Sequence, residues 1–293
     1  MERLLWYVAY GSNLHAARLD RYLRGGRPPG GLRTYPGCRD CRPPRRTVAG
    51  AIPGGVYFAG ESRAWTGGMA FYDPELPGRA AVRGYLVTVE QFADIAAQEM
   101  YRPPGADLDL IRVAAETGRA TLGPGRYETL LRVGVRDGLP MLTFTAPHAA
   151  SEVEWTSPAP AYLGMLARGL REAHGWDVDR TTGYLADRPG VAGRWAPVAL
   201  RALVMGLTAD TRNHFTTVVG PDGRLLVGVP GQGWKLVDRD GTTRPVPLPA
   251  GADSEYGPQP VLIDDAGTIH GAVHPTEPVA GRYQDVPAVW RCH

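Results

Sequence analysis

The chain has 293 residues, which is longer than a typical single domain and predicts two domains. Hydrophobic residues make up 43% of the chain and charged residues 21%, a composition typical of a globular protein rather than a disordered one. The formal net charge of +2 argues against a strongly basic nucleic-acid-binding protein and against an acidic tail.

Apolar residues at helical spacing predict three helices before residue 190. The first covers residues 14–23, the second residues 90–100 and the third residues 159–173. We expect the third helix to end at Gly175, because glycine tolerates the left-handed conformation that commonly follows a helix.

Short β-branched and aromatic runs between these helices predict five strands. They lie at 55–59, 67–72, 83–89, 127–135 and 140–144. The last two flank Asp137 and Gly138, a pair that is typical of a tight β-hairpin. This order of elements predicts an α+β fold, in which a mixed sheet curls into a barrel with helices outside it.

The pattern of apolar residues and turns changes from residue 194 onward, and apolar residues no longer recur at helical spacing after Thr208. Three turns follow, each between two apolar runs. The paired runs are 217–219 and 225–229, 234–237 and 246–248, and 260–263 and 268–273. Three hairpins in series predict a small all-β meander domain at the C-terminal end. A cluster of helix and strand breakers at 187–190 sets the boundary, so the predicted domains are 1–190 and 191–293.

No apolar run approaches the roughly 18 residues of a membrane span, so no membrane partner is expected. The first residues are aromatic and β-branched, which predicts a buried strand rather than a signal peptide. The three cysteines are an odd number in a long chain, so we expect no disulfide framework and a cytoplasmic location.

Cys38 and Cys41 form a Cys-x-x-Cys pair, a spacing found in zinc and redox sites. A structural zinc site needs four ligands, and only Cys292 and His293 remain to complete it. Prolines after the pair argue against the helix that a redox site requires, so we predict no metal site. The arginines around the pair predict a solvated loop, and no nucleic-acid partner is expected.

The end of the first predicted strand carries the clearest chemical pattern, Tyr10-Gly11-Ser12-Asn13-Leu14. Gly11 permits backbone conformations that other residues resist, and Ser12 and Asn13 are preferred helix N-caps. A strand-turn-helix of this kind leaves amide N–H groups at the helix start that can hold a carboxylate or an oxyanion. The alternative is that Ser12 or Asn13 simply caps the helix.

The motif Tyr-x-x-Tyr-Gly-Ser-Asn-Leu, which starts at Tyr7, closely resembles the opening motif of the gamma-glutamylcyclotransferase-like family. The order downstream is also similar, with a Gly-containing strand at 67–72, a Gly-Tyr-Leu-Val strand at 84–88 and then a helix with Glu99 at its end. The resemblance covers about residues 5–145. It implies the mixed β-barrel with flanking helices of that family for the predicted domain 1–190.

The resemblance also implies the site residues. Glu99 falls on the general acid/base of the family. The implied substrate-binding residues are Tyr10, Gly11, Ser12, Asn13, Leu14 and Tyr127. For Tyr127, ordinary packing at the start of a strand is the alternative. The family usually has Gly after the glutamate, whereas Met100 and Tyr101 follow here, a departure that bears on the local turn and on substrate choice.

The implied reaction cyclises a small-molecule gamma-glutamyl amide to 5-oxoproline and releases an amine, as a transferase or lyase without metal or organic cofactor. The substrate's own α-amino group attacks its γ-carbonyl carbon, so ring closure supplies proximity. Two alternatives keep the fold: an amide hydrolase or acyltransferase on a glutamyl or acyl-amine substrate, and a non-catalytic binding module. The C-terminal domain restricts access, binds a partner or forms a homodimer contact, and the sequence does not choose among these.

Overall fold

The computed structural model divides the chain into two compact units. The first is formed by Met1–Asp177 and Asp187–Ala192, and the second by Val178–Ala186 and Gly193–His293. The domain boundary that the sequence places after residue 190 stays a prediction. The described residues are 3–27, 33–62, 67–105, 109–195, 197–208, 217–219, 224–229, 233–238, 242–247, 249, 258–263, 268–273, 276 and 286–291.

The first unit alternates strands and helices. In chain order these are β1 (Leu4–Ala9), α1 (Ala16–Arg24), β2 (Arg46–Pro53), β3 (Gly55–Ala59), β4 (Met69–Asp73), β5 (Arg79–Thr88), α2 (Val89–Glu99), α3 (Asp109–Thr117), β6 (Arg119–Thr121), β7 (Thr129–Arg136), β8 (Leu139–Thr145) and α4 (Pro160–His174). Short 3-10 turns add Ser12–Leu14 and Ala150–Glu152.

A six-stranded mixed sheet runs in the order β2-β5-β1-β8-β7-β6. Its neighbouring strands are antiparallel except β1 and β8, which are parallel. Strands β3 and β4 pair as a separate antiparallel sheet. A central mixed sheet together with several helices confirms the predicted α+β class.

Two features predicted from glycine residues are confirmed, the hairpin turn at Gly138 and the helix end at Gly175. Asp137 and Gly138 have φ angles of 52° and 74°, the positive values that a tight hairpin turn needs, and they connect β7 to β8. Gly175 ends α4 in the left-handed conformation, and its N–H donates to the carbonyl of Arg171 over 2.8 Å.

Three elements of the first unit, β2, α3 and β6, were not predicted from the sequence. Strand β2 pairs only with β5 at the edge of the sheet, and most of its residues are exposed or half-buried. It therefore lacks the apolar run by which the other strands are recognised. Strand β5 also begins at Arg79, earlier than residue 83, which the sequence indicates.

The core of the first unit lies between the six-stranded sheet and helices α1, α2 and α3. Tyr7 of β1 is its centre: its ring centroid lies 5.3 Å from that of Phe144 and 5.7 Å from that of Phe92. Residues two apart in a strand share a face, so Leu5 and Ala9 join Tyr7 in this core. This packing fixes the Tyr7 hydroxyl near the C-terminal end of α2.

The second unit contains two helices and two small sheets. Its elements are α5 (Val178–Ala186), α6 (Pro197–Thr208), β9 (Thr217–Val219), β10 (Leu225–Val229), β11 (Gly233–Val237), β12 (Thr243–Pro245), β13 (Pro258–Ile263), β14 (Thr268–Val273) and β15 (Val286–Arg291). Strands β9 to β12 form one antiparallel meander, and β13 to β15 form another. The predicted C-terminal meander is confirmed.

The apolar side chains of the two small sheets share one buried cluster, which includes Leu226, Leu236, Ile269 and Trp290. Strand β12 ends just before the predicted run at 246–248. Val246, the first residue of that run, is buried but lies outside the strand. The turn residues 221–223, 239–241 and 264–267 lie outside the described residues. Within the described ranges, none of the helices has both the length and the hydropathy needed to cross a bilayer.

Candidate active site

A cavity in the first unit brings most of the predicted site residues together. Its lining includes six of them: Tyr10, Gly11, Ser12, Asn13, Glu99 and Tyr127. Leu14 is not among the lining residues. Its side chain is buried, and a Cβ added to Gly169 of α4 would lie only 2.4 Å from the Leu14 Cβ. Leu14 therefore packs closely against α4, and the functional roles of all seven residues stay predictions.

The turn after β1 contributes three residues to the lining of this cavity, Gly11, Ser12 and Asn13. The N–H of Leu14 donates to the Gly11 carbonyl over 3.0 Å, and the N–H of His15 donates to the Ser12 carbonyl over 3.1 Å, which forms the 3-10 turn. Gly11 and His15 are the cap residues, and neither makes a side-chain cap bond. Among the described residues, no acceptor is found for the amides of Gly11, Ser12 and Asn13.

Gly11 does not use the left-handed region, since its φ is −103°. The space beside Gly11 does not by itself demand a glycine, since an added Cβ would make only ordinary van der Waals contacts. A Cβ at this position would lie 3.4 Å from the Tyr162 hydroxyl oxygen and 3.6 Å from the Ala70 Cβ. With a ψ of −143°, the Gly11 backbone lies outside the usual extended and helical regions, as expected of a glycine.

Asn13 links the turn to Glu99. Its side-chain Nδ2 donates to the Tyr7 hydroxyl over 3.0 Å and to Glu99 Oε1 over 3.4 Å. Its backbone carbonyl accepts from the Tyr85 hydroxyl over 2.7 Å. The Asn13 Oδ1 atom is buried and has no protein partner in the described part of the chain. An unsatisfied buried acceptor that lines a cavity is available to a ligand that donates a hydrogen bond.

Glu99 is the last residue of α2, and the ends of this helix are well determined. A capping box between Thr88 and Gln91 fixes the start. At the other end, Tyr101 has a φ of 60°, which stops the helix and turns the chain away. A tyrosine adopts this angle only at a cost in conformational energy.

Glu99 is half-buried, and its Oε1 accepts hydrogen bonds from the Tyr22 hydroxyl and from Asn13. Burial raises the pKa of Glu99, and the opposing effects of the Arg18 cation and of the Tyr22 hydrogen bond do not cancel that rise. A raised pKa makes it easier for a carboxyl group to hold and return a proton, as a general acid/base must.

Arg18 lies behind Tyr22 and is almost fully buried, with 2% of its surface exposed. Its Nη2 donates to the Tyr22 hydroxyl over 2.9 Å and to the Tyr35 hydroxyl over 2.6 Å. The guanidinium carbon also lies 4.4 Å from the centroid of each of these two rings. None of the ion pairs in the described ranges involves Arg18, so its charge acts on the cavity without a carboxylate in direct contact.

Tyrosines dominate the rest of the cavity wall. Among the described residues, those that line it are Tyr7, Tyr10, Tyr22, Tyr35, Tyr101, Tyr127 and Tyr162. Burial raises the pKa of Tyr7, Tyr22 and Tyr127, and it raises the pKa of Tyr162 to about 12. These side chains therefore remain neutral hydroxyl groups at physiological pH.

The hydroxyl groups of Tyr10 and Tyr127 both donate hydrogen bonds to backbone carbonyls. The Tyr10 hydroxyl donates to the Phe144 carbonyl over 2.8 Å, and the Tyr127 hydroxyl donates to the Ala70 carbonyl over 2.9 Å. The Tyr127 ring also packs on Phe71 at a centroid distance of 5.0 Å, as the packing alternative expects. Tyr127 has a φ of 57° as well, so the structure keeps a bulky residue in a costly conformation at the cavity wall.

Sequence reasoning missed Arg18, Tyr22, Tyr35 and Tyr7 as parts of this site. One sequence signal could have drawn attention to two of them: Arg18 lies four residues before Tyr22 on the apolar stripe of α1, beside Leu19. A buried arginine in an apolar stripe needs partners, and such partners gather at functional sites.

The cysteine pair lies outside this cavity, and both thiols are free. The Cys38 Sγ lies 3.2 Å from the Tyr22 carbonyl, and burial raises its pKa to about 12. Cys292 and His293 lie outside the described residues. In the described ranges there is no group of three or more His, Cys, Asp or Glu side chains that could hold a metal ion.

Comparison with known proteins finds likenesses both in sequence and in solved structures. No protein-family model matches the chain. Histone deacetylase 5 of Arabidopsis thaliana is 29% identical over 198 residues, which is 62% of this chain but only 30% of that protein. The chain thus spans less than a third of the length of this relative.

The solved structures that align with the chain include two that it covers over 99% of their own length. The crystal structure of the uncharacterized protein loc79017 from Homo sapiens shares 15% identity, covers 70% of this chain and 99% of its own, and has a TM-score of 0.39. A gamma-glutamyl cyclotransferase shares 13% identity, covers 69% of this chain and 99% of its own, and has the same TM-score of 0.39. Scores this low carry no conclusion about this chain.

Proposed function

We propose that this protein cyclises a gamma-glutamyl amide to 5-oxoproline and releases an amine. The observation that supports the proposal is the arrangement around Glu99: a carboxyl group with a raised pKa lies within 3.4 Å of the Asn13 side-chain amide, in a cavity that Gly11, Ser12 and Asn13 also line. The Tyr-Gly-Ser-Asn motif that contributes these residues is the one that resembles the gamma-glutamylcyclotransferase-like family.

The reaction needs little from the protein besides positioning and proton transfer. The α-amino nitrogen of the substrate forms a bond to the γ-carbonyl carbon, and the bond from that carbon to the leaving nitrogen breaks. Glu99 takes a proton from the attacking nitrogen and returns it to the leaving nitrogen, so charge and protons balance. The ring closure is intramolecular, which removes the entropic cost of bringing two molecules together.

The amides of the turn have a separate task. The free N–H groups of Gly11, Ser12 and Asn13 hold the oxyanion that develops on the γ-carbonyl oxygen, or the α-carboxylate of the substrate. A donor aimed at a developing oxyanion stabilises the transition state by about 3–4 kcal/mol. The tyrosine wall excludes water and keeps the glutamyl arm folded back on itself.

The test is an assay of the full chain with gamma-glutamyl amino acids and gamma-glutamyl amines, with products identified by mass spectrometry. Release of 5-oxoproline above a protein-free blank is the expected result. Free glutamate would instead favour an amide hydrolase, and binding without turnover would favour a non-catalytic module; either result contradicts the proposal.

Two controls complete this assay. Glu99→Gln keeps the shape of the side chain and removes the proton carrier, whereas Glu90→Gln makes the same change at an exposed position of α2. An acetyl-lysine peptide is added as a further substrate, because the Arabidopsis relative is named a histone deacetylase. Release of acetate in place of 5-oxoproline would replace the proposed reaction with that activity.

A further inference from the structure

The two carboxylate oxygens of Glu99 have different surroundings. Oε1 accepts from the Tyr22 hydroxyl and from the Asn13 amide. Oε2 accepts no hydrogen bond from any described residue, although Glu99 lines the cavity. One oxygen is therefore anchored to the protein, and the other is left for a ligand.

The direction of the Tyr22 hydrogen bond follows from Arg18. A hydroxyl group has one proton, and the Tyr22 oxygen already accepts a hydrogen bond from Arg18 Nη2 over 2.9 Å. Its own proton is therefore directed to Glu99 Oε1. Because arginine stays charged at all physiological pH values, the chain from Arg18 through Tyr22 always presents a donor to the carboxylate.

We propose that Arg18 and Tyr22 are positioning residues that anchor Oε1 of Glu99 and favour its ionised form, so that Oε2 is the atom that accepts the substrate proton. This inference rests on the proposed function. It explains how a carboxylate at the edge of an aromatic core remains a usable base: burial disfavours the charge, and a polarised tyrosine hydroxyl offsets part of that effect.

Other ionisable groups also face Glu99, and they do not substitute for this pair. They are Tyr7 of β1, Arg33 of the segment after α1, Tyr127 before β7 and Tyr162 of α4. The three tyrosines are neutral at physiological pH. The Arg33 guanidinium lowers the pKa of Glu99 less than Arg18 does, and its Nη1 donates to the Gln98 carbonyl over 2.8 Å rather than to Glu99.

The titration of Glu99 tests the proposal without any substrate. In protein labelled with ¹³C at the glutamate side-chain carboxyl, the signal that Glu99→Gln removes belongs to Glu99, and its chemical shift is followed against pH. Tyr22→Phe removes the donor to Oε1 and is expected to raise the proton affinity of Glu99 about tenfold. Arg18→Gln is expected to act in the same direction, and Arg18→Lys should restore part of the effect.

Tyr35→Phe is the matched control. It also removes a hydroxyl that accepts from Arg18 Nη2, but this hydroxyl makes no hydrogen bond to Glu99. Its effect on the Glu99 titration should be clearly smaller than that of Tyr22→Phe. An unchanged titration in Tyr22→Phe, or an equal shift in both tyrosine variants, overturns the proposal. Since Phe nearly matches Tyr in shape, loss of the fold is not expected to obscure the result.

The pH profile of kcat/KM gives the second readout. The acidic limb of the Tyr22→Phe profile should move to higher pH together with the Glu99 titration, because more alkali is needed to ionise the base. A limb that stays in place while the titration moves would show that Oε2 of Glu99 is not the base. If wild-type protein turns over no gamma-glutamyl amide, the proposed function fails, and the carboxyl titration still decides whether Arg18 and Tyr22 hold Glu99.

Discussion

Helix α2 carries two carboxylates with opposite surroundings, Asp94 in its middle and Glu99 at its end. The Asp94 side chain is fully buried and saturated with donors. It accepts from the backbone N–H and the guanidinium of Arg39 over 2.9–3.2 Å, and from the Gly105 N–H over 2.8 Å. Glu99 has one anchored oxygen and one that no described residue occupies.

This contrast separates a structural carboxylate from one that can react. Asp94 ties the segments around Arg39 and Gly105 to α2, and all its bonds would have to break before it could serve a substrate. Glu99 is held by too few partners to be a good structural anchor, and burial raises its pKa. A buried polar group that is left incompletely satisfied lowers stability, and proteins keep such groups mainly where function needs them.

The largest effect is expected for Glu99, the carboxylate of α2 that can react. Glu99→Gln should lower kcat/KM for gamma-glutamyl amides by about 10²–10⁴-fold, because it removes proton transfer and leaves the shape of the side chain. Steady-state release of 5-oxoproline measures this loss. Glu90→Gln should retain wild-type rates, and normal turnover by Glu99→Gln would mean that another group carries the proton.

The second largest effect is expected for Asp94, the structural carboxylate of α2. Asp94→Asn should lower the free energy of unfolding by about 2–3 kcal/mol, since it weakens charge-assisted hydrogen bonds to Arg39 and leaves an amide where an acceptor is required. Urea denaturation followed by fluorescence measures the change. Asp40→Asn is the matched control: Asp40 pairs with Arg42 at a more exposed site, and its loss should cost no more than about 1 kcal/mol. Equal losses in both variants would remove the distinction between the two carboxylates of α2.

The smallest expected effect is an increase in the free energy of unfolding, and its size depends on pH. Folding raises the pKa of Glu99 above its ordinary value of 4.5, so the folded state binds the proton more tightly than the unfolded chain. The stability that Glu99 contributes is therefore complete at low pH and is lost as the pH rises through its folded-state pKa. Glu99→Gln should raise the free energy of unfolding by about 1 kcal/mol at pH 8, and the difference should close toward pH 4.

Parallel thermal or urea unfolding of wild type and Glu99→Gln across this pH range checks that sign. A variant that is less stable than wild type at pH 8 would place Glu99 with Asp94 among the structural carboxylates.

The sequence by itself determined the elements whose causes are local. Alternating and apolar runs predicted most strands of the first unit, the Asp137-Gly138 pair predicted the β7–β8 hairpin, and Gly175 predicted the end of α4. These predictions hold because turn and cap conformations depend on a few neighbouring residues. Recurrent turns likewise predicted the C-terminal meander. Edge strand β2 could not be found this way, because its neighbour β5 rather than its own composition holds it in the sheet.

The candidate site divides along the same line. The motif at Tyr10 to Asn13 and the glutamate at the end of α2 were recognisable in the sequence, because each is a short pattern with a resemblance behind it. Arg18 and Tyr22 lie 81 and 77 residues before Glu99, and each is an ordinary residue of a helix when considered by itself. Only the packing of α1 against α2 joins the guanidinium, the hydroxyl and the carboxylate. Which oxygen of Glu99 is held and which is free was therefore a decision of the tertiary structure, since contacts between distant segments leave no local pattern in the chain.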